Sequence, residues 1–384
     1  MIDFSELINE ASKCVNCGFC ESVCPTLPAA DFLPSRGARG RVELAKFMYK
    51  YGEINPVDAF YSCVDCYACL SVCPAGVNAG KVSEIGRSII VKNGRSPEIA
   101  RMIVKLTMMY KNPLGVMAEC SKWAEGLNFD ENDTLLYTGN MYQLMAYLRK
   151  FSDLRKRIGS NEDFMARIIE KHPSIIKFAK NVYDKQMMEK MSHYLKNIVK
   201  ILKKNDFKFS YLRDEEPYPG TFIYDLGYED EFREYAKSVV DLFRKHGFKK
   251  IITIDPHTYE ILKYIYPKYV KFDFDVVYYL DIIAREKVKG RFAVHTPCHF
   301  SRYFSFDAYI GDLMDIEAES NPTKCCGGPD ELLFPDLALE ISSRRFKELK
   351  LKGLPIVTAC PICYSNLAKD DSVVDISEII VDHM

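Results

Sequence analysis

The chain has 384 residues, 48% hydrophobic and 27% charged, an ordinary soluble composition and enough length for two or three domains with real cores. Its 52 Lys and Arg against 53 Asp and Glu leave a net charge of −1, which removes the electrostatic case for a nucleic-acid partner. No uncharged apolar run is long enough to span a bilayer, and Met1–Glu10 is acidic and amphipathic rather than basic then apolar, unlike a secretory signal. The expected location is cytoplasmic, with the inner face of a membrane reached through a partner.

All but Cys120 of the 14 cysteines fall into three tight groups, which in a large chain without a secretory signal reads as metal ligation rather than disulfides. The first group is Cys14-x2-Cys17-x2-Cys20-x3-Cys24-Pro25, and the second is Cys63-x2-Cys66-x2-Cys69-x3-Cys73-Pro74. This run holds cubane [4Fe-4S] clusters in bacterial two-cluster ferredoxins: three thiolates surround one cubane and the fourth completes its neighbour. The expected ligand sets are Cys14, Cys17, Cys20 and Cys73 for cluster 1, and Cys63, Cys66, Cys69 and Cys24 for cluster 2. Between them Pro34–Gly40 reads as a loop, and Arg41–Lys50 carries a helical apolar stripe. Little before Arg95 reads as strand, so this region resembles the helical ferredoxin domains of succinate dehydrogenase and heterodisulfide reductase.

Next, Glu98–Tyr110 reads as a connecting helix, Cys120 as a buried small hydrophobe, and Tyr142–Phe207 as a mostly helical insertion. Thr221–Tyr224, Lys250–Ile254, Arg291–His295 and Leu354–Thr358 are β-rich runs. Glu229–His246 and Asp336–Lys352 are periodic helices followed by Gly247 and Gly353.

The third cysteine group comprises Cys298, Cys325-Cys326-Gly327-Gly328 and Cys360-Pro361-Ile362-Cys363. It resembles the cysteine-rich CCG domain of heterodisulfide reductase and of the iron–sulfur subunits of glycolate, lactate and glycerol-3-phosphate dehydrogenases. The resemblance implies a third cluster, a non-cubane [4Fe-4S], on Cys298, Cys325, Cys326, Cys360 and Cys363. Gly327 and Gly328 would let backbone approach that cluster and offer it N–H groups. Zinc on four of the same thiols, or a reactive dithiol, is the alternative. His295 and His299 flank Cys298 as core or supporting residues, with ligation or proton donation as the other reading.

Ile251–Leu262 parallels Ile356–Leu367, Tyr137–Asn140 parallels His295–Cys298, and Pro217–Gly220 parallels Lys324–Gly327. The first copy has Asn140, Tyr218, Pro219, Asp255 and Thr258 in place of the thiols, so it is expected to keep the fold and bind no cluster; a chance likeness of β-turn-α patterns is the alternative. The fold class is then multidomain. It comprises an all-α ferredoxin domain at 1–97, a helical connector at 98–130, a degenerate α/β CCG-like repeat with its insertion at 131–285, and an intact α/β CCG repeat at 286–384.

No G-x-G-x-x-G fingerprint stands in strand–helix context, so hydride chemistry belongs elsewhere. The order of motifs resembles an electron-transfer subunit paired with an FAD-linked dehydrogenase of the 2-hydroxy acid or glycerol 3-phosphate type, passing electrons to quinone or another acceptor. The alternatives are a heterodisulfide-reductase-like protein acting on a disulfide at the CCG site, and a scaffold subunit holding zinc there.

Overall fold

The computed structural model describes residues 3–54, 57–158, 162–283, 288, 290–302, 324–328 and 331–384. The boundary expected between residues 285 and 286 therefore lies outside the described residues.

The N-terminal region is helical, with no strand among its described residues up to Arg95. Helices α1 (Ser5–Ala11), α2 (Ala38–Tyr51) and α3 (Ala79–Lys92) pack on one another. In α2 the buried residues Ala38, Arg41, Val42, Ala45 and Met48 recur at helical spacing and form one face. Gly52, at φ +68°, ends that helix by returning its N–H to the Met48 carbonyl. At the start of α3 the Asn78 side chain accepts from the Gly80 and Lys81 N–H groups at 3.0 and 3.1 Å. The loop expected at Pro34–Gly40 is shorter than the sequence suggests: Pro34–Arg36 is a 3-10 turn and α2 already begins at Ala38. Gly40 makes this tight entrance feasible, since a Cβ there would collide with the Pro34 carbonyl.

Helix α4 (Glu98–Tyr110) covers the residues read as helical, and Cys120 is fully buried beyond it. Two three-stranded parallel sheets follow. In the first, β1 (Thr134–Tyr137), β2 (Lys250–Thr253) and β3 (Asp275–Tyr278) pair in that order, with Tyr137 opposite Thr253 and Thr253 opposite Tyr278. In the second, β4 (Ala293–His295), β5 (Ile356–Thr358) and β6 (Val373–Asp375) do the same, with His295 opposite Thr358 and Thr358 opposite Asp375. Helices α5 (Met141–Ile158), α6 (Glu162–Lys171) and α7 (Lys185–Lys204) lie between β1 and β2, in the stretch read as mostly helical.

One expectation fails. Thr221–Tyr224 is not a strand but lies within helix α8 (Thr221–Asp225). Gly220, at φ +85°, turns the chain, and its carbonyl accepts from the Ile223 N–H at 3.0 Å. β-Branched composition favours a strand only where a neighbour supplies ladder bonds, and here the backbone closes on itself. After α8 come α9 (Glu229–Lys245), α10 (Pro256–Glu260), α11 (Cys298–Ser301), α12 (Pro335–Lys350), α13 (Pro361–Leu367) and α14 (Ile376–Asp382).

The helical region is keyed into the first sheet's loops. The Tyr61 hydroxyl donates to the Leu226 carbonyl at 3.0 Å, and Arg87 Nη1 donates to the Asp225 carbonyl at 2.7 Å. Arg87 also pairs with Asp65 and donates to the Phe60 and Cys63 carbonyls, so one buried guanidinium ties α3, the second cysteine loop and α8 together. Among the described residues no helix is long and apolar enough to cross a membrane.

Candidate metal centres

The first two cysteine loops share left-handed residues at matching positions. Asn16 and Gly18 have φ of +60° and +84°, and Asp65 and Tyr67, at the matching positions, have +43° and +57°. Left-handed residues alternating along a short loop curl it into a concavity that turns N–H groups and side chains inward, a form suited to an anionic cluster. Cys17 is exposed, Cys14, Cys20, Cys63, Cys66 and Cys73 are half-buried, and Cys24 and Cys69 are buried. Cys20 interacts with Cys14 and Cys24, while Cys69 interacts with Cys66 and Cys24. Cys24 thus stands between the two loops. Burial pushes the Cys20 thiol up to about 11 and Cys69 up to about 12. Such thiols ionise when metal displaces the proton, which couples binding to proton release.

Hydrogen-bond donors are already in place around these sulfurs. The Val77 N–H donates to Cys73 Sγ at 3.2 Å, and Arg41 Nη1 approaches Cys24 Sγ at 3.9 Å. Arg41 is fully buried; it spends its other donors on the Ala59 and Ser62 carbonyls at 2.6 and 3.0 Å and on Thr26 Oγ1 at 3.1 Å. It therefore fastens the end of the first loop to the start of the second.

The third group gathers after the strands of the second sheet. Cys298 opens α11 after β4, and Cys360 occupies the N-cap position of α13 after β5 with Cys363 inside its first turn. Cys325 and Cys326 arrive from the segment before α12, and all five thiols are buried. Cys326, Cys363 and His295 place their ligand atoms within 4.8 Å of one another. The Gly327 and Gly328 N–H groups donate to Cys325 and Cys326 Sγ at 3.3 and 3.4 Å. Gly327 needs to be glycine twice over, for φ +86° and for a Cβ that would sit 2.5 Å from the Ala338 carbonyl oxygen. Hydrogen bonds from Cys325, Cys363 and His295 hold Cys326 well below the ordinary thiol value against the pull of burial. Soft sulfur donors, buried and supplied with N–H groups, fit an iron–sulfur cluster.

Sequence reasoning did not foresee that the second and third groups touch. The Cys66 and Cys325 thiols meet, in a cluster completed by Val64, Ala29, Ile341 and Leu337, and Cys325 in turn meets Cys298 and Cys326. A cleft lined by Cys24, Pro25, Lys324, Cys325, Arg345 and Glu348 opens beside this junction.

At the corresponding place in the first sheet stand Asn140, Tyr218, Asp255 and Thr258, all fully buried, together with Pro219. Asp255 caps α10, accepting from the Thr258 N–H at 2.9 Å, much as Cys360 stands at the cap of α13. Gly220 and Gly327 share the left-handed conformation at matching positions, φ +85° and +86°. A second unforeseen feature lies between the two sheets. Glu260 binds Arg302 Nη1 at 2.8 and 3.0 Å and pairs with His299 Nδ1, and the Arg302 guanidinium lies 3.9 Å over the Tyr67 ring. Only the position of Arg302, one helical turn past Cys298, hinted at it.

Comparison with known proteins agrees with these centres. Residues 10–77 match the family described as a 4Fe-4S dicluster domain, and residues 292–368 match a cysteine-rich domain. The chain is 24% identical to a subunit of the dihydromethanophenazine:CoB–CoM heterodisulfide reductase of Methanosarcina barkeri, over 97% of this chain and 94% of that protein. It is 22% identical to the EtfAB:quinone oxidoreductase of Syntrophomonas wolfei, over 94% of this chain and 55% of that protein. It is 33% identical to the glycolate oxidase iron–sulfur subunit of Escherichia coli, over 23% of this chain and 22% of that protein. No solved structure matches the chain. A region that matches a 4Fe-4S dicluster domain and a region that matches a cysteine-rich domain thus share one chain, which is similar over nearly its whole length to the heterodisulfide reductase subunit.

Proposed function

We propose that this chain is the electron-transfer subunit of an oxidoreductase complex, relaying electrons from an FAD-linked dehydrogenase of the 2-hydroxy acid or glycerol 3-phosphate type to quinone or another acceptor. In this reading Cys14, Cys17, Cys20 and Cys73 hold one cubane, and Cys63, Cys66, Cys69 and Cys24 hold the second. Cys298, Cys325, Cys326, Cys360 and Cys363 hold a third, non-cubane cluster. When bound, such clusters supply carriers for single electrons. The contact between Cys66 and Cys325 carries the proposal, because it joins the ferredoxin domain to the cysteine-rich domain in a continuous conduit. The first sheet, with its oxygen side chains, is a degenerate CCG-type repeat that keeps the scaffold and holds no cluster; its strand order, Gly220 and the Asp255 cap support this.

The chain's own residues also suggest where the flavoprotein docks. Cys17 is exposed, and Val15, Phe19, Phe32 and Leu33 in the same stretch of the chain are 67%, 60%, 68% and 51% exposed. The thiols of the third group are all buried. Electrons are therefore exchanged with a protein partner at the first loop and handed inward.

The test is anaerobic purification or reconstitution followed by metal analysis. About twelve irons per chain, in three clusters of four, are expected. Eight irons with one zinc would sink the third cluster, and a colourless protein silent after dithionite would sink the whole proposal. A disulfide reductase is the second reading, favoured by full-length similarity to the methanogen protein. Reduction of a disulfide by the isolated chain would establish it, whereas a chain inert towards disulfides but reducible by a flavoprotein supports the relay.

A further inference from the structure

Among the described residues His295 brings a ring nitrogen within 4.8 Å of the Cys326 and Cys363 sulfurs, and its hydrogen bonds decide what it can do there. Arg345 Nε donates to His295 Nδ1 at 3.2 Å. A guanidinium has no acceptor and keeps its protons throughout the accessible pH range, so Nδ1 presents its lone pair to Arg345. A ring that accepts at Nδ1 is not the doubly protonated imidazolium, and the neutral ring has one proton. That proton is on Nε2. His295 shares a hydrogen bond with Cys326, so the Nε2–H donates to the Cys326 sulfur. A nitrogen carrying a proton has no lone pair for a metal.

Arg345 is well placed to enforce this tautomer. Its side chain is 3% exposed, it stands on α12, and Glu348 one turn along accepts from Nη1 at 3.0 Å while pairing also with Lys324. The ring itself is fixed at the end of β4, opposite Thr358. Resting on the third cluster assigned above, we propose that His295 is a positioning residue rather than a ligand: Arg345 locks its tautomer so that a single N–H is aimed at the Cys326 thiolate, raising the reduction potential of that centre. An N–H directed at a ligating sulfur favours whichever state carries more negative charge on it, and that is the reduced state.

The experiment compares full-length His295→Leu, Arg345→Met and Arg345→Lys with the unaltered chain, by metal content and by anaerobic EPR-monitored redox titration. His295→Leu is expected to keep all its iron while the third species becomes about tenfold harder to reduce, a shift of about 59 mV for one electron. Arg345→Met, which leaves the ring but frees its tautomer, moves the potential the same way by less, and Arg345→Lys restores some of it. Loss of third-site metal in His295→Leu, whether iron or zinc, would make His295 a ligand and overturn the inference. Full metal with unmoved potentials in both His295→Leu and Arg345→Met would overturn it too. Absence of a third iron species in the unaltered chain would instead strike the cluster assignment. Metal retention in His295→Leu still judges the ligand question in that case. If His295→Leu fails to fold, Arg345→Met carries the comparison.

Discussion

Gly328 shows how little room a single residue leaves around the third centre. A Cβ there would drive into the Ile362 side chain and lie 3.4 Å from Cys326 Sγ. Gly328→Ala is therefore expected to cost about 1–3 kcal/mol through overpacking, and to lose about four of twelve irons while both cubane signals survive in EPR. Glu216 makes a different residue-scale case. It is fully buried, accepts from the Thr138 N–H at 2.7 Å, and burial pushes its carboxyl up to about 8 despite that bond. A carboxyl raised in the folded state binds more protons there than in the unfolded chain. Its contribution is complete below about 4.5 and is lost as pH rises towards about 8. Glu216→Gln should flatten this portion of the pH dependence: between pH 5 and pH 8.5 the denaturation midpoint should fall less than in the unaltered chain. Asp255→Asn, by contrast, should leave iron content unchanged if the proposed degenerate repeat is right, because there that carboxylate serves to cap α10; a fall in iron would refute the degenerate-repeat assignment.

Among the elements, the turn after α8 is the most exacting. Gly227, at φ +87°, lies so close to α3 that a Cβ would fall 2.6 Å from the Arg87 carbonyl carbon and the Ser88 nitrogen. Gly227→Ala adds about 1–2 kcal/mol of left-handed strain to that clash, and should separate the helical region from the first sheet. Faster proteolysis and weakened coupling between the second and third centres, with the cysteine loops themselves intact, would be the signature. Elements differ in how legible they are from sequence. The cysteine loops are plain because ligand chemistry dictates spacing, and α4 because its periodicity and its ends are both local. Helix α8 reads as a strand because four apolar and β-branched residues look the same whether or not a neighbouring strand exists. The Arg345–His295 bond spans fifty positions and the Glu260–Arg302 pair forty-two, and no local pattern announces partners that far apart.

For the whole molecule, the exposed first loop and the buried third centre imply a direction in space. Phe32→Asp, on the exposed rim of the helical region, should slow reduction by a flavoprotein partner several-fold and leave each reduction potential where it was. Equal rates in stopped flow would place the docking face elsewhere. The meeting of Cys66 with Cys325 has another consequence. Two unit charges about 10 Å apart at an effective dielectric of about 20 repel by about 1.7 kcal/mol. An electron residing on either side of that sulfur contact makes a second one harder to add. The second and third centres should therefore fill stepwise and anticooperatively, their neighbouring spins broadening each other's resonances, rather than as independent carriers titrating on separate Nernst curves.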